Sequence, residues 1–459
     1  MTLPDYAIIF VYLIFILLLG LKKSRDSGPD LESYILAGRR LTLPAFVATL
    51  VSTWYGGILG VGEFSYLYGL SNWLVFGVPY YVAAVLFALL VARAARRQKL
   101  YTIPEQLQRS YGRFAALTGT LFVFILTLPA AYVLMLAVLL QYLFPIPLFW
   151  AITAGMLFSM IYVLKGGFNA IIRTDKLQFS LMYLGFFLIL LICLQKYGGY
   201  GFLKQSLPES HFQWHGGQGA TYIIAWFFIA LTTLIDPSFY QRCFAAKSDK
   251  VARRGILISV LFWIVFDFMA TFAGLYARAV LPELENPVSS YLELAGNVLP
   301  PVVLGIFFTA LLATIMSTID SFSFLAAITI GRDFRHRYKE EAKDEIVQRH
   351  IQIGLIITAV ISIALALYAR SVVKIWKDIG SLATPALLIP LVSSFFHRFR
   401  MPSRWVPATM LSGAALSATW LLSKELTGSY LFQIEPIYPG LAISFILYLT
   451  SKGFAGRQN

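Results

Sequence analysis

The sequence predicts an all-α polytopic membrane protein of about thirteen transmembrane helices, on three observations. Of 459 residues 58% are hydrophobic and 13% charged, with a mean hydropathy of +0.72, whereas an ordinary soluble domain carries about 45–50% apolar and 25% charged residues. The apolar residues are gathered into runs, and they suffice for about thirteen helices of the ~20 residues that a bilayer crossing needs. The basic residues lie between these runs, mostly in alternate loops.

Bounded by Gly, Pro and charged residues, the runs are 6–21, 41–62, 70–92, 114–143, 147–164, 170–195, 219–240, 255–280, 301–330, 351–369, 379–396, 405–423 and 436–451. The first, from Tyr6 to Leu21, follows Asp5 and no basic residue, precedes Lys22, Lys23 and Arg25, and lacks a small-residue cleavage site. It reads as an N-out anchor rather than a signal peptide. Of the 37 Lys and Arg residues only Lys196, Lys204, Arg278, Arg370, Lys374, Lys377 and Lys424 fall on the side opposite the rest. That bias predicts an N-terminus outside and a C-terminus in the cytoplasm. Basic cytoplasmic loops beside anionic lipid also account for the net charge of +14 without a nucleic-acid partner. The loops leave no room for a soluble catalytic domain, and Cys193 and Cys243 form no disulfide or zinc pattern.

Hydrocarbon tolerates unpaired backbone groups only where they are buried in protein or line a wet cavity, so Gly clusters and Pro inside a run mark candidate breaks. The second run contains Ser52-Thr53-Trp54-Tyr55-Gly56-Gly57-Ile58-Leu59-Gly60-Val61-Gly62. Two readings are open: close helix packing through small residues, or an unwound segment whose freed carbonyls bind a cation. The sixth run opens with Gly166-Gly167-Phe168-Asn169-Ala170 and continues through Arg173, Thr174, Asp175, Lys176 and Gln178. Asp175 there either pairs with Arg173 or Lys176 or attracts a sodium ion.

The seventh run carries Thr232-Thr233-Leu234-Ile235-Asp236-Pro237, where Pro removes a backbone donor and Asp236 is an ionisable group near mid-membrane. The second and seventh runs cross in opposite directions, five runs apart, as the first helices of two inverted five-helix repeats would, which places a solute site between them. In the ninth run Thr314, Ser317 and Thr318 stand at i, i+3 and i+4 and share a helical face. Hydroxyls and carbonyls suit a small hard cation, while back-bonding to the i−4 carbonyl is the plainer use of such residues. Trp54, Tyr55, Tyr132, Thr232 and Thr233 are pocket candidates by depth, which points to a small polar solute clasped partly by aromatic faces.

At this point four motifs resemble the sodium:solute symporter family: Tyr34 to Leu41, Gly166-Gly167 through Asp175 to Gln178, Gln241-Arg242-Cys243-Phe244-Ala245-Ala246-Lys247-Ser248, and Met316 to Ser321. The resemblance implies a LeuT-type core of two inverted five-helix repeats and transport driven by one or two sodium ions. It implies 1–40 as an N-out helix and basic loop, 41–200 and 201–400 as the repeats, and 401–459 as two further helices. Carried over by position, sodium would be held by carbonyls near Leu50 and Thr53, the Thr314 carbonyl and the Ser317 and Thr318 hydroxyls, with Asp175 and Thr314 contributing to an additional sodium site. Ser52, Trp54, Tyr55, Gly56, Gly57, Tyr132, Thr232, Thr233 and Asp236 are the solute-site expectations. The chain departs from the proline and sugar carriers at Ser52-Thr53-Trp54 and in the sixth core helix, so their solutes do not transfer.

The expected activity is sodium-coupled import of a small polar organic solute (amino acid, sugar, carboxylate or similar) by alternating access, in a multi-pass protein of the cell membrane with no obligatory protein partner evident. Coupling to protons and a transporter-like sensor are the alternatives; a sensor would be expected to carry a soluble output domain, and the chain stops soon after Lys452. An enzyme is not expected, because His211, His215, His336, His350 and His397 all fall in loops or at helix ends.

Overall fold

The computed structural model describes residues 1–22, 30–335, 343–368 and 372–456. Lys23, Arg25, Arg337, Lys339, Arg370 and Arg457, which contribute to the charge bias, and His336 lie outside the described residues. The architecture is helical throughout: α1 Leu3–Leu21, α2 Leu43–Trp54, α3 Ile58–Tyr68, α4 Trp73–Gln98, α5 Arg113–Leu143, α6 Leu148–Tyr197, α7 Ala220–Ala245, α8 Asp249–Val280, α9 Val303–Phe334, α10 Asp344–Tyr368, α11 Val372–Ser394, α12 Val406–Thr427 and α13 Ile437–Gly456.

By length and apolarity ten helices among the described residues can cross a membrane, or eleven if the bent pair α2–α3 is one span. This count falls below the expected thirteen at two places. The fifth and sixth predicted runs fall on α6, which is counted once over its 50 residues although two helices meet in it across a kink; at 1.5 Å per residue the two together supply about 75 Å, enough for two crossings. Gly167 interrupts it at φ 51° and ψ −144°, a conformation open to glycine, and a Cβ there would press on the Tyr34 carbonyl and ring. The last predicted run falls on α13, which lies outside the eleven.

Burial inverts the pattern of a soluble protein at the rim and keeps it at the centre. Along α1, Phe10, Val11, Ile14, Phe15 and Leu18 are exposed while Ile9, Tyr12 and Ile16 are buried, so one face meets lipid and the other the bundle. At the centre stands α9, in which every residue from Phe307 to Ile328 is buried. It packs along α6 and also meets α1, α2, α5 and α10. Asp5 ties the first helix to it: its Oδ1 accepts from the N–H groups of Val302 (2.8 Å) and Gly305 (3.1 Å), at the start of α9 where the dipole favours an anion.

Two helices are broken near this centre. The chain bends by 60° between α2 and α3 through the turn Tyr55-Gly56-Gly57. Within α7 an α-helix, Ala220–Ile229, gives way to a 3-10 turn, Ala230–Ile235, and resumes as Pro237–Ala245 with Asp236 as its cap, the Oδ1 accepting from the Ser238 N–H at 2.7 Å. Both breaks fall where the glycines and the Asp-Pro step place them in the sequence.

Candidate ion and solute site

The last turn of α2 presents three hydroxyls and a free carbonyl to its neighbours. Where α2 ends at Trp54, the Thr53 carbonyl accepts from the Thr318 hydroxyl of α9 at 2.7 Å. Ser317 donates to Asp175 Oδ1 on α6 at 2.6 Å and lies 3.0 Å from the Ser52 hydroxyl. Thr49 donates to the other oxygen of Asp175, and the Thr53 hydroxyl lies 3.0 Å from that of Ser321. Three helices thus converge oxygen ligands on one buried point, with Thr49, Ser52, Asp175 and Ser317 fully buried and Thr53 and Thr318 nearly so.

A guanidinium shares that point. Arg242 is wholly buried on the second half of α7. Its Nη2 donates to the hydroxyls of Thr49 (3.0 Å), Thr53 (2.8 Å) and Ser321 (2.8 Å) and stands 3.7 Å from Asp175. Asp175 is therefore paired neither with Arg173, which donates to the Leu19 and Gly20 carbonyls at 3.2 and 3.1 Å, nor with Lys176, which is exposed. Arg242, counted by its sequence position among the cytoplasmic loop cations, is a core residue: Asp175 and three hydroxyls solvate it, and the Phe168 ring lies 5.3 Å from its guanidinium carbon.

Two other expected ion ligands make no side-chain hydrogen bond to this cluster among the described residues. The Thr314 hydroxyl bonds back to the Ala310 carbonyl of its own helix at 2.7 Å. Leu50 is buried, and no side chain bonds to its carbonyl among the described residues.

Above the break lies a cavity of about 180 Å³. Trp54, Tyr55, Gly57, Tyr132, Thr232, Thr233 and Asp236 all line it, as does Thr53. Ser52 does not: its hydroxyl is turned into the oxygen cluster. Gly56 does not either, because it sits under Thr318, whose side chain a Cβ would strike. Sequence reasoning missed Asp267, Tyr80, Phe322 and Trp376 on this wall and Thr49, Arg242 and Ser321 in the cluster below. Asp267, alone between Phe266 and Phe268 in mid-run, carries the signal of an intramembrane carboxylate. Arg242 stood in a motif but read as a loop charge.

Residues 34–403 match the model of the sodium:solute symporter family. The chain is 26% identical to the sodium/pantothenate symporter of Escherichia coli (strain K12) over 94% of this chain and 92% of that protein. It is 22% identical to the sodium/proline symporter of Staphylococcus aureus (strain JH9) over 97% and 92%. Among solved structures, a Na+-coupled sialic acid symporter in a substrate-bound outward-open state superposes with a TM-score of 0.77 at 17% identity, covering 98% of this chain and 96% of that one. A nucleobase-cation-symport-1 family transporter in a closed conformation gives 0.60 at 14% identity, covering 95% and 96%. These likenesses establish the fold as LeuT-type. The family match runs from Tyr34, ahead of α2, past the end of α11 and takes in both breaks and the cluster between them; the chain belongs to the sodium:solute symporter family, whose co-transported ion is sodium and whose members are multi-pass membrane transporters and not enzymes.

Proposed function

We propose that the chain imports a small polar organic solute with one or two sodium ions by alternating access. Sodium is held by the Thr53 carbonyl, the Ser317 and Thr318 hydroxyls and Asp175, with the Leu50 and Thr314 carbonyls adjoining; the solute sits in the cavity lined by Trp54, Tyr132, Thr232, Thr233 and Asp236. The observation that carries this reading is the convergence of α2, α6 and α9 at the α2–α3 break. An ion bound there contacts a carbonyl that a continuous helix would keep to itself, so its binding free energy bears on the geometry of the break and hence on the solute wall beside it.

The residue ranges 41–200 and 201–400 act as inverted repeats, supported by one broken helix near the start of each. The N-terminus lies outside and the C-terminus in the cytoplasm, supported by the basic loops. At −100 mV each sodium entering the cell contributes about 2.3 kcal/mol, roughly fifty-fold accumulation before its concentration gradient is counted. The cycle needs no nucleic acid and no obligatory protein partner. The test is uptake of a panel of labelled amino acids, sugars, carboxylates and amines into proteoliposomes under an inward sodium gradient. At least one solute is expected to accumulate with sodium and not with potassium in its place; accumulation indifferent to sodium but driven by a pH gradient would move the reading to proton coupling.

A further inference from the structure

The cavity is charged on one side of the balance only. Among the residues lining it are two carboxylates, Asp236 and Asp267, and no Lys, Arg or His. The nearby cation is already engaged: Arg242 points away into the oxygen cluster, within salt-bridge distance of Asp175 and not of either cavity carboxylate. Asp236 is held by the Ser238 N–H and Asp267 by the Tyr81 hydroxyl. Among the described residues neither has a cationic partner within 4.0 Å.

The walls are aromatic. Trp54 meets Tyr80 edge-on with ring centroids 5.4 Å apart, and on another wall Tyr132 meets Phe322 at 5.3 Å and Trp376 at 5.9 Å. A further group lining the cavity, the Thr233 hydroxyl, is buried at 1% exposure without a hydrogen-bond partner among the described residues. Buried polar groups are rarely left so, and this one points to a ligand that supplies the missing partner.

We propose that the transported solute is a small organic cation. Its ammonium head sits among the faces of Trp54, Tyr80, Tyr132 and Trp376, where ring quadrupoles attract it, with Asp236 and Asp267 as counter-charges. A hydrogen-bonding end reaches Thr233. A carboxylate-bearing solute would instead be desolvated against two like charges with no basic group to meet it. The assignment rests on the transport reading above and narrows its solute.

The test is binding to the purified full-length chain, read by intrinsic tryptophan fluorescence and thermal shift, in sodium and in potassium. The probes are tetramethylammonium and choline, the uncharged choline isostere 3,3-dimethylbutan-1-ol, proline and pantothenate. Both cations are expected to bind saturably and about tenfold or more tighter than the isostere, Asp267→Asn to remove most of that preference and Asp267→Glu to restore part of it. Should the Asn variant not fold, the ligand series on the parent protein decides alone. Cation binding that ignores sodium would keep this assignment and overturn the coupling. A sodium-dependent thermal shift with no preference for the cations over the isostere, or with tighter binding of proline or pantothenate, would overturn the assignment and leave the coupling standing. Absence of any response to sodium or to the cations would overturn both.

Discussion

At the scale of single residues, the least expected feature is that the proposed sodium site already contains a cation. A buried carboxylate needs a partner, and in the structure Asp175 finds one in Arg242, 67 positions along the chain, rather than in Arg173 or Lys176 beside it. Sequence spacing showed the near neighbours and could not show the far one, because the pairing depends on the second half of α7 folding against α2. Breaking a buried pair from one side costs about 3–5 kcal/mol, since the remaining charge is stranded. Arg242→Gln, which keeps hydrogen-bonding capacity and deletes the charge, should therefore lower thermal stability in potassium by a corresponding amount. In sodium much of that loss should return, because the ion supplies the missing positive charge to Asp175. Unfolding curves of parent and variant in the two salts check this; equal sodium stabilisation of both would separate Arg242 from the ion site. Asp175→Asn, preserving shape and removing the charge, should raise the half-saturating sodium concentration for uptake at least tenfold and also destabilise the fold by stranding Arg242.

At the scale of elements, the breaks were the most legible part of the sequence. Four glycines behind Trp54-Tyr55 and the Asp236-Pro237 step lie where the structure bends α2 into α3 and interrupts α7. What the sequence left open was why the glycines are there. Gly56 and Gly57 are not in the left-handed region of the backbone; they are glycines because something lies against them, the Thr318 side chain on Gly56 and the Trp376 indole on Gly57. Neither the packing reading nor the ion-hinge reading was therefore complete, since the glycines pack against the oxygen cluster on one side and the cavity wall on the other. In an ordinary exposed helix Gly→Ala gains up to about 1 kcal/mol. Here Gly57→Ala should reduce uptake strongly, by tenfold or more, because its Cβ must displace Trp376 from the solute wall. A companion Gly57→Ala/Trp376→Phe variant, with a smaller ring, should recover part of the loss. Uptake beside thermal stability checks this, and destabilisation that fully accounts for lost uptake would make the contact one of assembly alone. The hydroxyl face of α9 divided in the same way: Ser317 and Thr318 reach other helices, whereas Thr314 bonds its own backbone, a distinction that identical hydroxyls at helical spacing do not carry.

At the scale of the whole molecule, composition and the pattern of apolar runs were enough for the helical membrane fold, because a bilayer imposes one length and one chemistry on every span. The number of spans is where the count and the apolar pattern part: the pattern divides α6 at the Gly167 kink, where two helices meet in one 50-residue stretch, and it includes α13, which the count of eleven leaves out. The cavity wall was read in part, since residues on α4, α8 and α11 reach it only through the packing of the bundle. What unifies the molecule is that one oxygen cluster touches α2, α6, α7 and α9 at once, so an ion bound there would act on both broken helices. The central claim is that this cluster is where sodium binds, and direct binding of radioactive sodium to the purified protein tests it without knowledge of the solute. The parent should bind sodium saturably, and the double variant Ser317→Ala/Thr318→Ala, folded to the same thermal stability in potassium, should lose that binding or weaken it about tenfold or more, two hydrogen-bonding ligands to a charged group being worth about 1.5–3 kcal/mol each. Unchanged sodium affinity in a well-folded double variant would contradict the account.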